Sequence, residues 1–187
     1  KKNFEFLVNN NGDLKSKINL YNLYLKEENF SRSLKLITDV LNDDPSILSV
    51  KSDKAFVLYK LNKIDESIKE CESVFKKNKN NIHILNTWGL CCFILKKYDE
   101  AKSLFLKALN INKKDVMVLN SLGRLHHELR DSEIANKYFL EALRLSPNKY
   151  ETLNNIAGFY LEEGNYKKAI KFYSEAYKID PNNKIIL

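Results

Sequence analysis

The sequence predicts an all-α chain of stacked helix hairpins, an α-solenoid, on three observations. The three prolines stand at 45, 147 and 181, so their separations are 102 and 34, and 102 is three times 34. Aligned on that period, the chain falls into five contiguous blocks, 14–47, 48–81, 82–115, 116–149 and 150–183. Within a block, apolar residues recur in two stretches at helical spacing, as in Leu153, Ile156, Tyr160 and then Ala169, Tyr173, Ala176, the stripe of an amphipathic helix. Five glycines and three prolines leave little punctuation for the tight turns of a β-sandwich, and a hydrophobic share of 44% is too apolar for a disordered chain.

Each block therefore reads as helix, short turn, helix. Gly164-Asn165, Asn29 and Asn62 suit turns that need left-handed backbone. Proline follows the second helix, where its fixed φ and missing N–H end that helix and begin the next block. The whole chain, 1–187, is one domain on this reading, with 1–13 and 184–187 as remnants of flanking blocks: Phe4 to Val8 as the tail of one helix and Lys184 to Leu187 as the start of another. A start at Lys1-Lys2 without an apolar signal core reads as a fragment of a longer intracellular protein.

The blocks can be taken in order. The first two depart from the others, with Lys17 and Lys51 at the opening apolar position, Lys54 at a leucine position, and Ser33 and Ser67 where a small alanine is expected. The third supplies Leu85, Trp88, Gly89, Cys92, Ala101, Phe105 and Ala108, with Lys113 at the proline position. The fourth reads Leu119, Leu122, Gly123, His126, Ala135, Phe139, Ala142 and Pro147, and the fifth Leu153, Ile156, Ala157, Tyr160, Ala169, Tyr173, Ala176 and Pro181. These positions resemble the tetratricopeptide repeat (TPR), whose 34-residue pattern is W-x₂-L-G-x₂-Y, then A-x₃-F, then P. The resemblance implies a right-handed superhelix of about five such repeats. Gly89, Gly123 and Ala157, facing Ala101, Ala135 and Ala169, let the two helices of a block approach closely. Trp88, Phe105, Phe139 and Tyr173 are expected to be buried.

Composition narrows the function classes. The net charge of +7 comes from 27 lysines and 4 arginines against 24 acids; lysines scattered among acids make a solvated surface rather than a nucleic-acid interface, which leans on arginine. With 23 asparagines beside them, the lysines also fit a compositional bias. The longest uncharged apolar run, Trp88 to Leu95, is too short to cross a bilayer. Cys71, Cys91 and Cys92 contain no C-x-x-C pair, and His83, His126 and His127 no H-x-x-x-H pair, so neither metal nor cofactor is expected, and reduced thiols suit the cytoplasm or nucleus. No nucleophile elbow, phosphate loop or H-E-x-x-H occurs, so the chain is read as non-catalytic.

In the family it resembles, ligands bind along the concave face made by the first helices, through the second, fifth, sixth, ninth, twelfth and thirteenth positions of each block. The fifth reads Ile18, Ser52, Asn86, Asn120, Asn154, and the sixth ends with Asn155. Asparagines at 34-residue spacing offer donor and acceptor to the backbone of an extended peptide, an arrangement similar to the asparagine ladders of O-linked N-acetylglucosamine transferases and peroxisomal import receptors. Phe56, Tyr59, Leu90, Phe93 and Ile94 add an apolar patch, and His127 is a further inward residue. Tyr24, Cys92, His126 and Tyr160 share a core-facing position. The lysine and asparagine clamp with which related repeats hold the C-terminal carboxylate of heat-shock chaperones is missing from every window: the first would read Ile18, Asn22, Asp53, His83 and Thr87. The expected function is a scaffold binding a peptide or protein segment in the groove. The alternatives are a self-associating or structural subunit, similar to those of the anaphase-promoting complex, and the substrate-selecting arm of a larger enzyme such as a glycosyltransferase.

Overall fold

The computed structural model describes residues 13–181, and these form ten α-helices with no strand. In chain order they are α1 Leu14–Lys26, α2 Phe30–Asp43, α3 Leu48–Lys60, α4 Ile64–Lys77, α5 Ile82–Ile94, α6 Tyr98–Ile111, α7 Val116–Glu128, α8 Ser132–Leu145, α9 Tyr150–Glu162 and α10 Tyr166–Ile179. The helix pairs fall where the 34-residue period puts them. The segments Phe4 to Val8 and Lys184 to Leu187, expected to be helix remnants, lie outside the described residues.

The turn inside each block has a single backbone solution. The fifteenth residue of every block is left-handed: Glu28 (φ 53°), Asn62 (59°), Lys96 (59°), Arg130 (63°) and Gly164 (75°). In four blocks the amide after it reaches five residues back, Asn29 to Tyr24, Lys63 to Leu58, Asp131 to His126 and Asn165 to Tyr160, at 2.8 or 2.9 Å. This is the Schellman closure of a helix C-terminus. Asn29 is thus not the left-handed residue expected of it; with φ −84° it caps α2, its side chain accepting from the Arg32 amide. Proline is also not what ends the second helices. With Lys79 and Lys113 in its place, α4 and α6 still stop at Lys77 and Ile111, because Asn78 and Asn112 accept from the amides two residues on and draw the chain into a turn.

By its internal contacts the chain divides into two compact units, 1–95 and 96–187. In the first, α1 packs on α2, α2 on α3, and α3 on both α4 and α5. Its core gathers Leu20, Tyr21, Tyr24, Ile37, Val40, Val50 and Val57, with a second cluster of Ala55, Cys71, Val74 and Ile84. The serines at the small-residue positions are buried and bonded: Ser33 donates to the Tyr21 carbonyl and Ser67 to that of Ala55, at 3.3 and 2.7 Å. A hydroxyl there keeps the close approach of an alanine and directs its proton to the facing backbone. Lys54, in the leucine position, meets Glu70 of α4 at 2.6 Å.

In the second unit α7 pairs with α8 and α9 with α10, while α9 also packs on α7 and α8. Phe139 is buried against Phe159, Ile156 and Tyr160. A Cβ on Gly123 would stand 2.6 Å from the Phe139 ring, so the glycine makes room for that ring. Of the four aromatics expected in the core, Phe105 and Phe139 are buried and Trp88 and Tyr173 are not fully so. Trp88 lies edge-on to Phe75 at 5.8 Å and is partly buried against the Cys71 and Val74 cluster, as is usual for a side chain of that size. Tyr173 is half-exposed because no described helix lies over α10.

Candidate binding surface

Each unit presents its own set of first-helix side chains. In the first, Phe56 and Tyr59 stand one turn apart on α3, half-buried, with ring centroids 6.3 Å apart. Phe56 also meets Phe30 edge-on at 6.4 Å and His83, at the start of α5, at 5.6 Å. The Lys60 ammonium lies 5.3 Å from the Phe30 ring centre and 6.0 Å from that of Phe56. One turn before Phe56, Asp53 accepts a hydrogen bond of 2.9 Å from the buried Tyr21 hydroxyl. Burial pushes the Asp53 carboxyl above its ordinary value, against the Tyr21 hydrogen bond and the nearby His83; burial, then the Asp53 charge, pushes the Tyr21 phenol up as well.

Asn86 and Leu90 on α5 are buried, and Phe93 is half-buried. Both Asn86 Oδ1 and the neighbouring Thr87 Oγ1 are occluded without a hydrogen-bond partner. Cys71, Cys91 and Cys92 are buried thiols in no disulfide; burial raises the Cys71 and Cys91 thiols, and Cys91 lies 3.3 Å from the Ser67 hydroxyl. Cys71 and Cys91 are therefore packed thiols held protonated rather than activated.

In the second unit, Asn120 of α7 is buried and its Nδ2 donates to Thr152 Oγ1 of α9 at 2.8 Å, while its Oδ1 has no partner. Asn154 of α9 is half-buried, again with Oδ1 unpartnered, and Asn155 beside it is half-buried. His127 stacks edge-on against Phe159 at 5.1 Å, with Nε2 3.6 Å from a Glu163 carboxylate oxygen and 3.8 Å from one of Glu162. His126 is buried, its Nδ1 3.2 Å from Asp131 Oδ2, and Tyr24, Cys92 and Tyr160 are buried at the same position of their blocks.

The sequence-derived residues therefore fall into two sets, one in each unit: Phe56, Tyr59, Asn86, Leu90 and Phe93, and Asn120, Asn154, Asn155 and His127. The Tyr21, Asp53 and His83 cluster was not foreseen. Its signal is Tyr21 itself, a large residue at the block position that elsewhere holds Ala55, Gly89, Gly123 and Ala157. Among the described residues no trio of His, Cys, Asp and Glu is placed to hold a metal, and no helix is long and apolar enough to cross a membrane.

A family model described as the N-terminal TPR repeats region of Psidin matches residues 66–187. The chain belongs to this tetratricopeptide-repeat family. No curated protein matches it. Among solved structures, the TPR chain is similar to a thermophilic TPR protein of Thermus thermophilus, with a TM-score of 0.86 at 15% identity over 93% of this chain and 95% of that one. It is similar also to pilF of Pseudomonas aeruginosa, with a TM-score of 0.67 at 22% identity over 91% and 78%. A third is MamA from Desulfovibrio magneticus, with a TM-score of 0.61 at 13% identity over 91% and 97%. At these identities the likeness is one of fold, an all-α TPR solenoid, and that fold is characteristically a scaffold for protein interactions.

Proposed function

We propose that this TPR chain is a non-catalytic interaction module, acting in the cytoplasm or nucleus, whose first helices hold an extended segment of a partner protein. The observation that carries the reading is the pair of unpartnered carboxamide oxygens on Asn120 and Asn154 in the second unit, matched in the first unit by that of Asn86 at the same block position. Buried polar groups are nearly always bonded, and leaving one unpaired costs about 1–3 kcal/mol. An incoming backbone N–H would relieve that cost at each position. Because the oxygens are occluded in the free chain, binding requires a neighbouring side chain to turn aside. In the first unit the half-buried Phe56, Tyr59 and Phe93 offer apolar contact, and in the second the half-buried His127 and Asn155 stand on the same first helices as Asn120 and Asn154; three buried thiols in no disulfide suit a reducing compartment.

The test uses the tightest binder selected from a displayed random-peptide library. Each hydrogen bond is worth about 0.5–1.5 kcal/mol net, so changing Asn120 and Asn154 of the second unit together to alanine should lower affinity roughly tenfold or more. Changing Lys107 and Lys137, exposed on second helices, should leave it unchanged. Loss of binding in the lysine variant with retention in the asparagine variant would move the site to the second helices.

A further inference from the structure

We propose that the outer face of α10 is a docking site for an acidic amphipathic helix of a partner protein. This surface is on a second helix, whereas the residues considered above are on first helices. Along α10, Tyr166, Ile170, Tyr173 and Tyr177 recur at spacings of four, three and four, which lines them up on one side of the helix. Ile170 is 65% exposed, Tyr166 64% and Tyr177 52%. Ile170, Tyr173, Ser174, Tyr177 and Lys178 line a shallow groove of about 390 Å³. A contiguous exposed apolar stripe of this kind marks a contact surface.

The repeat itself says what shape fits. One block earlier, Phe139 holds the position of Tyr173; it is buried, and its ring meets Phe159 of α9 at 5.5 Å. Within the second unit, then, the matching face of α8 is covered by a helix. A helix laid on α10 in the same manner would place its apolar side chains in the groove, the helix-in-groove mode of recognition.

Charge says which helix. At about 100° per residue, Lys167, Lys171 and Lys178 fall together along one edge of the stripe. The opposite edge is seated on the core by the buried Ala169 and Ala176. All three lysines are exposed, and none is ion-paired with a carboxylate among the described residues. A helix with glutamates or aspartates along its matching edge gains attraction from all three; a basic helix, or a second copy of this chain with its net charge of +7, would meet repulsion.

Two synthetic amphipathic peptides serve as probes, both with leucines at i, i+3, i+4 and i+7, one with glutamates and the other with lysines along one edge. Anisotropy titrations with the 187-residue chain should show the glutamate peptide binding about tenfold or more tightly than the lysine peptide, with the preference shrinking as salt screens the charges. Ile170→Asp should weaken the glutamate peptide at least tenfold. Changing Lys167, Lys171 and Lys178 to glutamate should reverse the order of the two peptides, whereas the same change at the exposed Lys35, Lys76 and Lys77 of the first unit should preserve it. Equal binding of the two peptides, binding of neither, or indifference to Ile170→Asp would overturn the proposal. So would self-association of the free chain that Ile170→Asp abolishes, which would assign the face to a second copy.

Discussion

Arg130 shows how a repeat tolerates a residue that its backbone disfavours. It takes φ 63°, a conformation costing a non-glycine residue about 1–2 kcal/mol, held in place by the Asp131 to His126 and Arg130 to His127 backbone bonds. Arg130→Gly should therefore stabilise the chain by about 0.5–1 kcal/mol after the extra unfolded-state entropy of glycine is deducted, measurable by urea denaturation. Gly123→Ala should go the other way. Alanine gains about 1 kcal/mol in helix propensity, but its methyl would stand 2.6 to 2.9 Å from three atoms of the Phe139 ring, which is itself buried and packed with Phe159 at 5.5 Å. Overpacking of that kind costs about 1–3 kcal/mol, so the steric term decides the sign. Phe139→Ala removes the ring altogether and should cost roughly 3–5 kcal/mol. At Asp53 the folded chain holds the carboxyl proton more tightly than the unfolded chain does. The wild type accordingly loses stability as pH rises from the ordinary aspartate value through the raised one, and Asp53→Asn should gain relative to it over that window and no further above it. A constant difference across the acid limb would mean that Asp53 is not desolvated.

Among the helices, burial is unequal and stability should follow it. α7 buries eight of its residues, Val118 to His126 with one gap at Arg124, whereas α10 buries only Ala169 and Ala176. Local opening draws on the least-buried elements. Hydrogen exchange should thus show α10 opening before α7, and α1, with three buried residues, before α3 with five. Equal protection of α10 and α7 would mean that something covers the α10 stripe. The same inequality explains what was legible in the sequence. Helix positions and the small-residue contacts follow from a 34-residue period imposed by backbone geometry, so they could be read even where Lys79 and Lys113 replace proline. The left-handed site could not be read from composition, because the Schellman closure imposes it on Glu28 and Arg130 as readily as on Gly164. Tyr173 was misjudged because its exposure depends on what lies over α10, and no described helix does; Tyr21 with Asp53 was missed because a hydrogen bond between different blocks leaves no periodic trace.

Across the whole chain, stability in a repeat protein is close to a sum of block and neighbour terms, and function then rests on side chains that the stacking leaves unsatisfied. Asn120 shows both roles in one residue: its amide nitrogen joins α7 to α9 through Thr152, while its oxygen has no partner. The asparagines stood out in the sequence by their spacing, yet their burial did not, since it depends on the helix of the next block. The most direct measurement of the interaction reading follows the side-chain amide signals of Asn120 and Asn154 by NMR while the selected peptide is added. The account predicts that both shift and saturate together, with the midpoint of overall binding. Saturable binding that leaves both signals unmoved while amides of the second helices respond would contradict it.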